Sequence, residues 1–597
     1  MAERLTAALD EGLIALAWAE RFVEALALHG VRDACVCSGS RSAPLALALH
    51  RSSIRTHVAL DERAGGFFAL GLARASRRPV AIVTTSGTGA VNLFPAVVEA
   101  SHGRVPVIAL TADRPPELRD TGAAQTIDQI KLFGTSVRWF HEVGTPSDDP
   151  GLLDYVASLA SRAIDAAWGP PAGPVHLNFA FREPLLPHPD AILRAAPRRE
   201  HGNAPTTEAG PRDTAPSART VTRAANLLRA KRRGLILCGP SDEEPTFADA
   251  IARLADVTGY PVLADPASQV RYGRHDRSRV LGSYDAFFRS ERFAAREAPE
   301  IVLQFGAPLT SKAYHQAAAR HAETVSLIVD AARAWRDPAR RAREILAGDP
   351  TELATLLADA LSRGSDPLPG WSERFARAER AAREVLERYA ERPGAGLTEG
   401  RAMAALLDAA PEETVLTVGN SMPIRDLDLF GPSRAKRVRV LANRGANGID
   451  GVMSSGLGAA AASDAPALIV TGDLSFHHDL NGLAALREGR SRATIVVLNN
   501  DGGGVFSFLP VAKHADAEAF ERYFGTPHGL DFRHAAELYG IPFARPDSVD
   551  ALREEAAGSL TRRESVLIEV RTDRAENVAD HRAVWAEVVR GVEEADR

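Results

Sequence analysis

Two polar groups close two successive apolar runs in the last third of the chain: Asp473 in APALIVTGDLS and Asn499-Asn500 in ATIVVLNNDGGG. One helical pattern separates them, so both ends belong to a single βαβ unit and reach the same edge of a parallel sheet. A carboxylate, a carboxamide and a glycine turn at neighbouring strand ends offer hard oxygen ligands. A small divalent cation such as magnesium takes such ligands beside phosphate oxygens and water. A helix opening after Gly472 adds N–H groups and dipole for the same phosphates. Alone, Asp473 reads as a helix cap. The second polar strand end turns the reading toward a metal and a diphosphate.

A third group stands near the N-terminus. In HVALDERAGGFFALGLAR, Glu62 follows a strand-like run and opens a helix. A first-turn glutamate stabilises a helix dipole, but a carboxylate there can also move a proton. The turn TTSGTGAVNLF carries Gly87-Thr88-Gly89, with Asn92 where a dinucleotide fingerprint needs its third glycine. A nicotinamide-binding oxidoreductase is therefore a weaker reading than a turn allowing close backbone approach to another cofactor. His477 and His478 follow the Asp473 turn and receive no role.

The combination resembles the thiamine-diphosphate enzymes, whose signature is Gly-Asp-Gly, a gap of this length, and Asn-Asn. The resemblance implies that Asp473, the Asn500 side chain and the Gly502 carbonyl hold Mg²⁺, with Mn²⁺ the alternative ion, against thiamine diphosphate. It implies that Glu62 activates the cofactor's pyrimidine, so that its imino group takes the thiazolium proton. Gly89, Ser421, Gly472, Leu474 and Ser475 then line the cofactor. Ile449 wedges it into a bent shape, a role that requires burial as ordinary core packing would, and Val505 and Phe506 form an apolar wall. Leu474 departs from the general signature, where a glycine is usual.

CSGSRSAPLALAL, TADRPPELRDTGAAQTIDQ, VGNSMPIRDLD, NRGANGIDGVMSSGLGAA and GDLS narrow the likeness. Together they resemble the 2-succinyl-5-enolpyruvyl-6-hydroxy-3-cyclohexene-1-carboxylate synthases of menaquinone biosynthesis, in which the leucine after the aspartate is a family mark. That family implies a transferase that decarboxylates 2-oxoglutarate and adds the succinyl carbanion to isochorismate. Both substrates are dicarboxylates, and arginine's planar fork matches carboxylates. By analogy, Ser40, Arg41, Arg114 and Gln125 meet isochorismate, while Ser421, Arg425 and Arg444 meet the succinyl carboxylate. Lys312 is a middle-domain contact, although Ala313 beside it stands where another basic residue is expected. The alternatives are another thiamine-diphosphate 2-oxoacid decarboxylase or carboligase, such as an acetohydroxyacid synthase, and a regulatory protein that kept the fold without the chemistry. Family analogy also places the cofactor between two chains, in a homodimer or homotetramer.

Short apolar runs alternating with amphipathic segments must position these residues. That alternation predicts an α/β architecture of three doubly wound parallel-sheet domains, over 1–195, 219–365 and 395–597. Strands are expected in DACVCSG, PVAIVTTS, VPVIALTA and GPVHLNFA, then RGLILCGP, YPVLADP, EIVLQFGAP and VSLIVDA, and finally ETVLTVGN, RVRVLANRG, APALIVTGD, ATIVVLNND and ESVLIEVRT. Ligands of open α/β sheets collect at the carboxyl ends of the strands, where the residues above fall. The Pro- and charge-rich stretch 194–220 reads as a linker. At 597 residues the chain exceeds one core, and its net charge of -6 gives no footprint for nucleic acid. Cys35, Cys37 and Cys238 read as buried reduced thiols. The N-terminus reads as an amphipathic helix without a signal peptide, and the absence of an apolar stretch long enough to span a membrane points to the cytoplasm.

Overall fold

The expected apolar runs are strands because β-branched residues fill them and both faces are covered, as in Val80–Thr84, Thr414–Val418 and Thr494–Asn499, buried throughout. The computed structural model describes residues 2–187, 214–364, 366–392, 394–489 and 491–596. Most of the linker expected over 194–220 lies outside the described residues. The strands assemble into three six-stranded parallel sheets. Counted along the chain within each sheet, the first and third share the order 2-1-3-4-6-5, and the middle sheet runs 3-2-1-4-5-6. Each reverses direction of winding beside its first strand, which opens a crevice at the carboxyl ends.

In the first sheet this crevice lies between Asp33–Cys37 and Val80–Thr84. In the third it lies between Thr414–Val418 and Ala467–Gly472. The strands carrying Asp473 and Asn500 are direct neighbours, with Gly472 beside Leu498. Besides Arg55–Ala59, the strand-like run before Glu62, four further strands complete the sheets: Trp139–Gly144, Val280–Leu281, Ala342–Leu346 and Phe543–Ala544 are edge or two-residue strands, and the last position of the first and third sheets is one of these. Edge strands are half-exposed, so they carry no continuous apolar run. The single helix expected after Asp473 is instead a short α-helix, Asp473–His478, followed by the 3₁₀ run Leu480–Glu488.

The polypeptide divides into two compact units. One takes Met1–Arg212 with Asn443–Asp464 and His478–Ser491, and the other takes the remainder. In the first, the N-terminal helix Ala2–Leu28 buries Trp18, Phe22 and Leu26 in the core around the first sheet. Helix Glu62–Ser76 packs against helix Val452–Ala461 at backbone distance: a Cβ on Gly71 would stand 1.9 Å from the Ser455 carbonyl oxygen, and one on Gly458 2.0 Å from that of Phe68. In the second unit, the fully buried Arg271 donates to the carbonyls of Ala264, Asp428 and Gly431 and pairs with Asp428, tying the segment after the middle sheet's second strand to helix Met422–Phe430. The three cysteines are free and buried. Among the described residues no helix is long and apolar enough to cross a membrane.

The helix contact makes a direct prediction. Gly71→Ala places a methyl group against backbone that cannot rotate away, so it should cost about 1–3 kcal/mol. A urea unfolding curve of the variant should show a lower midpoint, and an unchanged midpoint would contradict this packing.

Candidate active site

Asp473 opens its short helix, and its buried carboxylate is held by main chain on both oxygens. Leu474 N–H donates to Oδ1 at 2.6 Å and Gly502 N–H to Oδ2 at 2.9 Å. The second contact joins the two strand ends that the sequence pairs. Gly502 adopts φ +137°, and a Cβ there would stand 1.9 Å from the Gly525 carbonyl oxygen, so only glycine fits. Burial pushes the Asp473 carboxyl above the usual range, against the Gly502 and Leu474 N–H groups that favour the anion. His528, which sequence reading missed, brings Nε2 within 3.3 Å of Oδ2. Its Nδ1 accepts the Leu530 N–H at 3.0 Å, which leaves the ring proton on Nε2.

Asn499 and Asn500 turn opposite ways. Asn499 donates its amide to buried Glu569 at 2.6 Å and serves the sheet. Asn500 donates Nδ2 to Glu399 at 2.8 Å, and among the described residues its buried Oδ1 has no hydrogen-bond partner. The Gly502 carbonyl accepts the Gly504 N–H at 3.0 Å and retains a second lone pair. In front of Gly472, no heavy atom of the described residues beyond its chain neighbours lies within 4 Å of where a Cβ would be. An unpartnered buried acceptor, a carboxylate and a spare carbonyl lone pair, with open space beside them, fit an oxygen-seeking cation and a phosphate. Ser475 is buried, Leu474, Val505 and Phe506 are half-buried, and His477 and His478 are exposed.

Glu399 lies at the head of a buried polar chain. Burial and then the neighbouring Asp426 push its carboxyl up to about 8. Asp426 accepts from His581 Nε2 at 2.9 Å, while His581 Nδ1 donates to the Asn577 carbonyl at 2.9 Å. Burial lowers the His581 pKa, but Asp426 outweighs it and raises it. Ser421, also in this unit, holds φ +67° with ψ −124°, a strained backbone for a residue with a side chain. Its carbonyl accepts from the exposed Arg425 one turn on. Lys312 is exposed at the start of helix Lys312–Ala319.

In the first unit, Glu62 opens its helix behind Asp61, whose carboxylate caps Arg63 and Ala64. Half-buried Glu62 leans over the glycine turn: a Cβ on Gly89 would lie 3.0 Å from its Oε1. Beside the same turn, buried Arg114 donates to Ser86 Oγ and, at 3.1 Å, to the Gln125 carbonyl. Burial and then the adjacent Arg41 guanidinium depress its pKa. Arg41, 6% exposed, donates to the Phe181 carbonyl at 3.0 Å and to Glu183 at 2.8 Å, and among the described residues its Nε has no partner. Ser40 and Gln125 have exposed side chains. Two buried guanidiniums thus stand close enough to repel, with Glu183 the one carboxylate that their side chains bond and neutral oxygens the rest.

A polar ladder under the first sheet holds this turn. Gln129 accepts the Gly87 N–H at 2.9 Å and donates to Asn178 Oδ1 at 2.8 Å. Asn178 Nδ2 donates to Asp113 at 2.9 Å, and its Oδ1 accepts from Thr111 at 2.8 Å. Thr111 must then accept from His176 Nε2, 2.7 Å away, leaving buried Nδ1 unpartnered. Arg444 and Ile449 also belong to this unit. Their loop is pinned where Glu99 accepts the Gly445 and Ala446 N–H groups at 2.8 and 2.6 Å. Arg444 is half-buried. Ile449 is 37% exposed, so the burial expected of it is not met within its own chain. Glu399, His528, Gln129 and Ser86 escape sequence reading because only their partners distinguish them from ordinary helix, loop and turn residues.

This fold and these strand-end clusters define a thiamine pyrophosphate enzyme. Residues 17–132 match the family model "Thiamine pyrophosphate enzyme, N-terminal TPP binding domain", 211–418 the "Middle domain of thiamine pyrophosphate", and 433–570 the "Thiamine pyrophosphate enzyme, C-terminal TPP binding domain". A 2-succinyl-5-enolpyruvyl-6-hydroxy-3-cyclohexene-1-carboxylate synthase of Geobacillus kaustophilus is 46% identical over 96% of this chain and 98% of its own. Proteins of the same name from Chloroflexus aurantiacus and Myxococcus xanthus are 45% and 43% identical, each over 95% of this chain and over 95% and 96% of theirs. The chain belongs to the family of 2-succinyl-5-enolpyruvyl-6-hydroxy-3-cyclohexene-1-carboxylate synthases.

His176 makes the ladder sensitive to acid. Burial pulls its pKa from 6.5 to about 3, so between those values the unfolded chain holds a proton that the folded chain refuses. Stability therefore falls as pH drops below 6.5, by at most about 1.4 kcal/mol per pH unit from this group. His176→Gln should flatten the acid limb of a pH–stability curve, and an unchanged slope would remove His176 as its source.

Proposed function

We propose that the protein transfers a succinyl unit from 2-oxoglutarate, with loss of carbon dioxide, to isochorismate, giving the product named in its family and serving menaquinone biosynthesis. The observation that carries this reading is the pair of buried arginines, Arg41 and Arg114, beside the turn over which Glu62 leans. A decarboxylase of monoanionic 2-oxoacids has no need of two desolvated guanidiniums at this place. An acceptor with two carboxylates does.

Thiamine diphosphate, when bound, supplies a nucleophilic carbon that attacks a 2-oxo group and accepts the electrons freed on decarboxylation. Asp473, Asn500 Oδ1 and the Gly502 carbonyl hold the magnesium that anchors its diphosphate, with Gly472, Leu474 and Ser475 around it. Glu62 holds and returns a proton at the pyrimidine ring through its carboxylate, and Gly89 leaves room for that approach. Ile449, Val505 and Phe506 hold the cofactor's rings. Arg41 and Arg114, with Ser40 and Gln125, orient the acceptor's carboxylates. Ser421, Arg425 and Arg444 receive the donor's distal carboxylate, and Lys312 contributes from the middle domain. The three domains span 1–195, 219–365 and 395–597. The working unit is a homodimer or a tetramer of such dimers, the cofactor lying between two chains. Ile449, open within its own chain, is then covered by cofactor. The protein acts in the cytoplasm.

Purified protein with Mg²⁺, thiamine diphosphate and 2-oxoglutarate, with and without isochorismate, should release carbon dioxide and form the succinylated product by mass spectrometry only in the complete mixture. No adduct from a folded, cofactor-loaded protein would sink the reading. Glu62→Gln should lower kcat by about 10²-fold or more while leaving cofactor binding in place. Arg41→Ala should raise the KM for isochorismate on the order of tenfold to a hundredfold, the loss of a charge-assisted contact of about 1.5–3 kcal/mol. Its KM for 2-oxoglutarate should stay unchanged, and a shift in that constant instead would move Arg41 to the donor side.

A further inference from the structure

The two ends of an asparagine side chain are nearly the same shape and electrically opposite. Turned one way, Asn500 offers Oδ1 to a cation; turned by half a rotation, it offers an N–H group and repels it. Its own torsional preference does not choose, because the terminal torsion of asparagine is broad and roughly two-fold. The choice falls to the groups behind it.

Behind Asn500 stands Glu399, whose Oε1 accepts Nδ2 at 2.8 Å in a buried contact. The same oxygen accepts Thr572 Oγ1 at 3.2 Å, so it meets two donors and offers no proton of its own. Glu399 is the first residue of helix Glu399–Ala409, fixed behind the Thr398 cap, and it is 1% exposed. Its neighbour Asp426 is anchored in turn by His581 and hydrogen-bonds Glu399 from the other side. The result is a strand end, a helix start and the C-terminal helix converging on one carboxamide. Its amide end is satisfied, and its oxygen end is left without a partner.

We propose that Glu399 is a positioning residue that locks the Asn500 carboxamide with its oxygen toward the bound metal, with Thr572 steadying Glu399. The inference rests on the reading of Asn500 as a metal ligand. Glu399 never touches the metal, cofactor or substrate in this scheme; it acts through Asn500 alone. An acceptor is what the position requires, not a charge. Glutamine meets that requirement, since its Oε1 can face Asn500 and Thr572 while its Nε2 donates to the Asp426 carboxylate that Glu399 meets.

The test titrates thiamine diphosphate into the full-length protein by calorimetry over a series of Mg²⁺ concentrations, which gives an apparent Mg²⁺ dissociation constant without any turnover. Glu399→Ala should raise that constant about tenfold or more, Glu399→Gln should restore it to within a few-fold, and Thr572→Val should raise it two- to fivefold. Folded Glu399→Ala protein with the wild-type Mg²⁺ dependence would overturn the inference, and so would a Glu399→Gln variant as weak as alanine. Where Glu399→Ala does not fold, Thr572→Val decides: a rise supports the lock and no rise overturns it. Asn500→Ala separates the two layers of the argument. If it keeps the wild-type Mg²⁺ dependence, the ligand assignment fails and takes the lock with it. If it weakens binding while Glu399→Ala does not, only the lock fails.

Discussion

Two backbone N–H groups, from Leu474 and Gly502, close on the two oxygens of the Asp473 carboxylate at the point where two adjacent parallel strands end. An anion so buried is costly unless donors replace the water it loses. These donors exist only if the strands stay in register and the chain turns at Gly502 through a conformation that other residues rarely adopt. The register depends on buried strands on either side, and the turn depends on backbone contact with Gly525. A single carboxylate thus reports on the integrity of the whole carboxyl edge of the third sheet.

The first sheet solves the mirror-image problem with the same strand order. Its crevice carries cations, Arg41 and Arg114, and a glycine turn tied from below by Gln129 and the Asn178 ladder. Asn178 uses both amide protons and both carbonyl lone pairs there, so its orientation leaves nothing free to rearrange. Such networks fix a turn more tightly than apolar packing does, because every alternative rotamer strands a buried donor. Sites on strand ends inherit that rigidity.

How much of this could be read from residues alone follows from the range over which each feature is determined. The central strands were legible because burial on both faces writes a continuous apolar run. The edge strands Trp139–Gly144 and Ala342–Leu346 were not, because one open side allows mixed residues. Asp473 and Asn500 stood out because a polar group that ends an apolar run conflicts locally with its surroundings. Glu399 conflicts with nothing near it in sequence: after Thr398 it is an ordinary first-turn glutamate, and its meaning comes from Asn500, 101 positions away. His528 and Gln129 are hidden for the same reason. Ile449 shows the limit from the other side, since an apolar residue in a motif reads as buried while the folded chain leaves it 37% exposed.

The two edges also hold opposite electrostatic imbalances. Burial makes charge expensive on both, raising the Asp473 and Glu399 carboxyls and lowering Arg114. A group whose charged form is penalised gains most from a ligand of opposite sign, because the ligand restores what desolvation removed. The third sheet's edge therefore favours a cation, and the first sheet's edge favours anions. At both edges the orientation of the polar atoms rests on a short hydrogen-bonded support, Glu399 behind Asn500 and Gln129 behind Gly87.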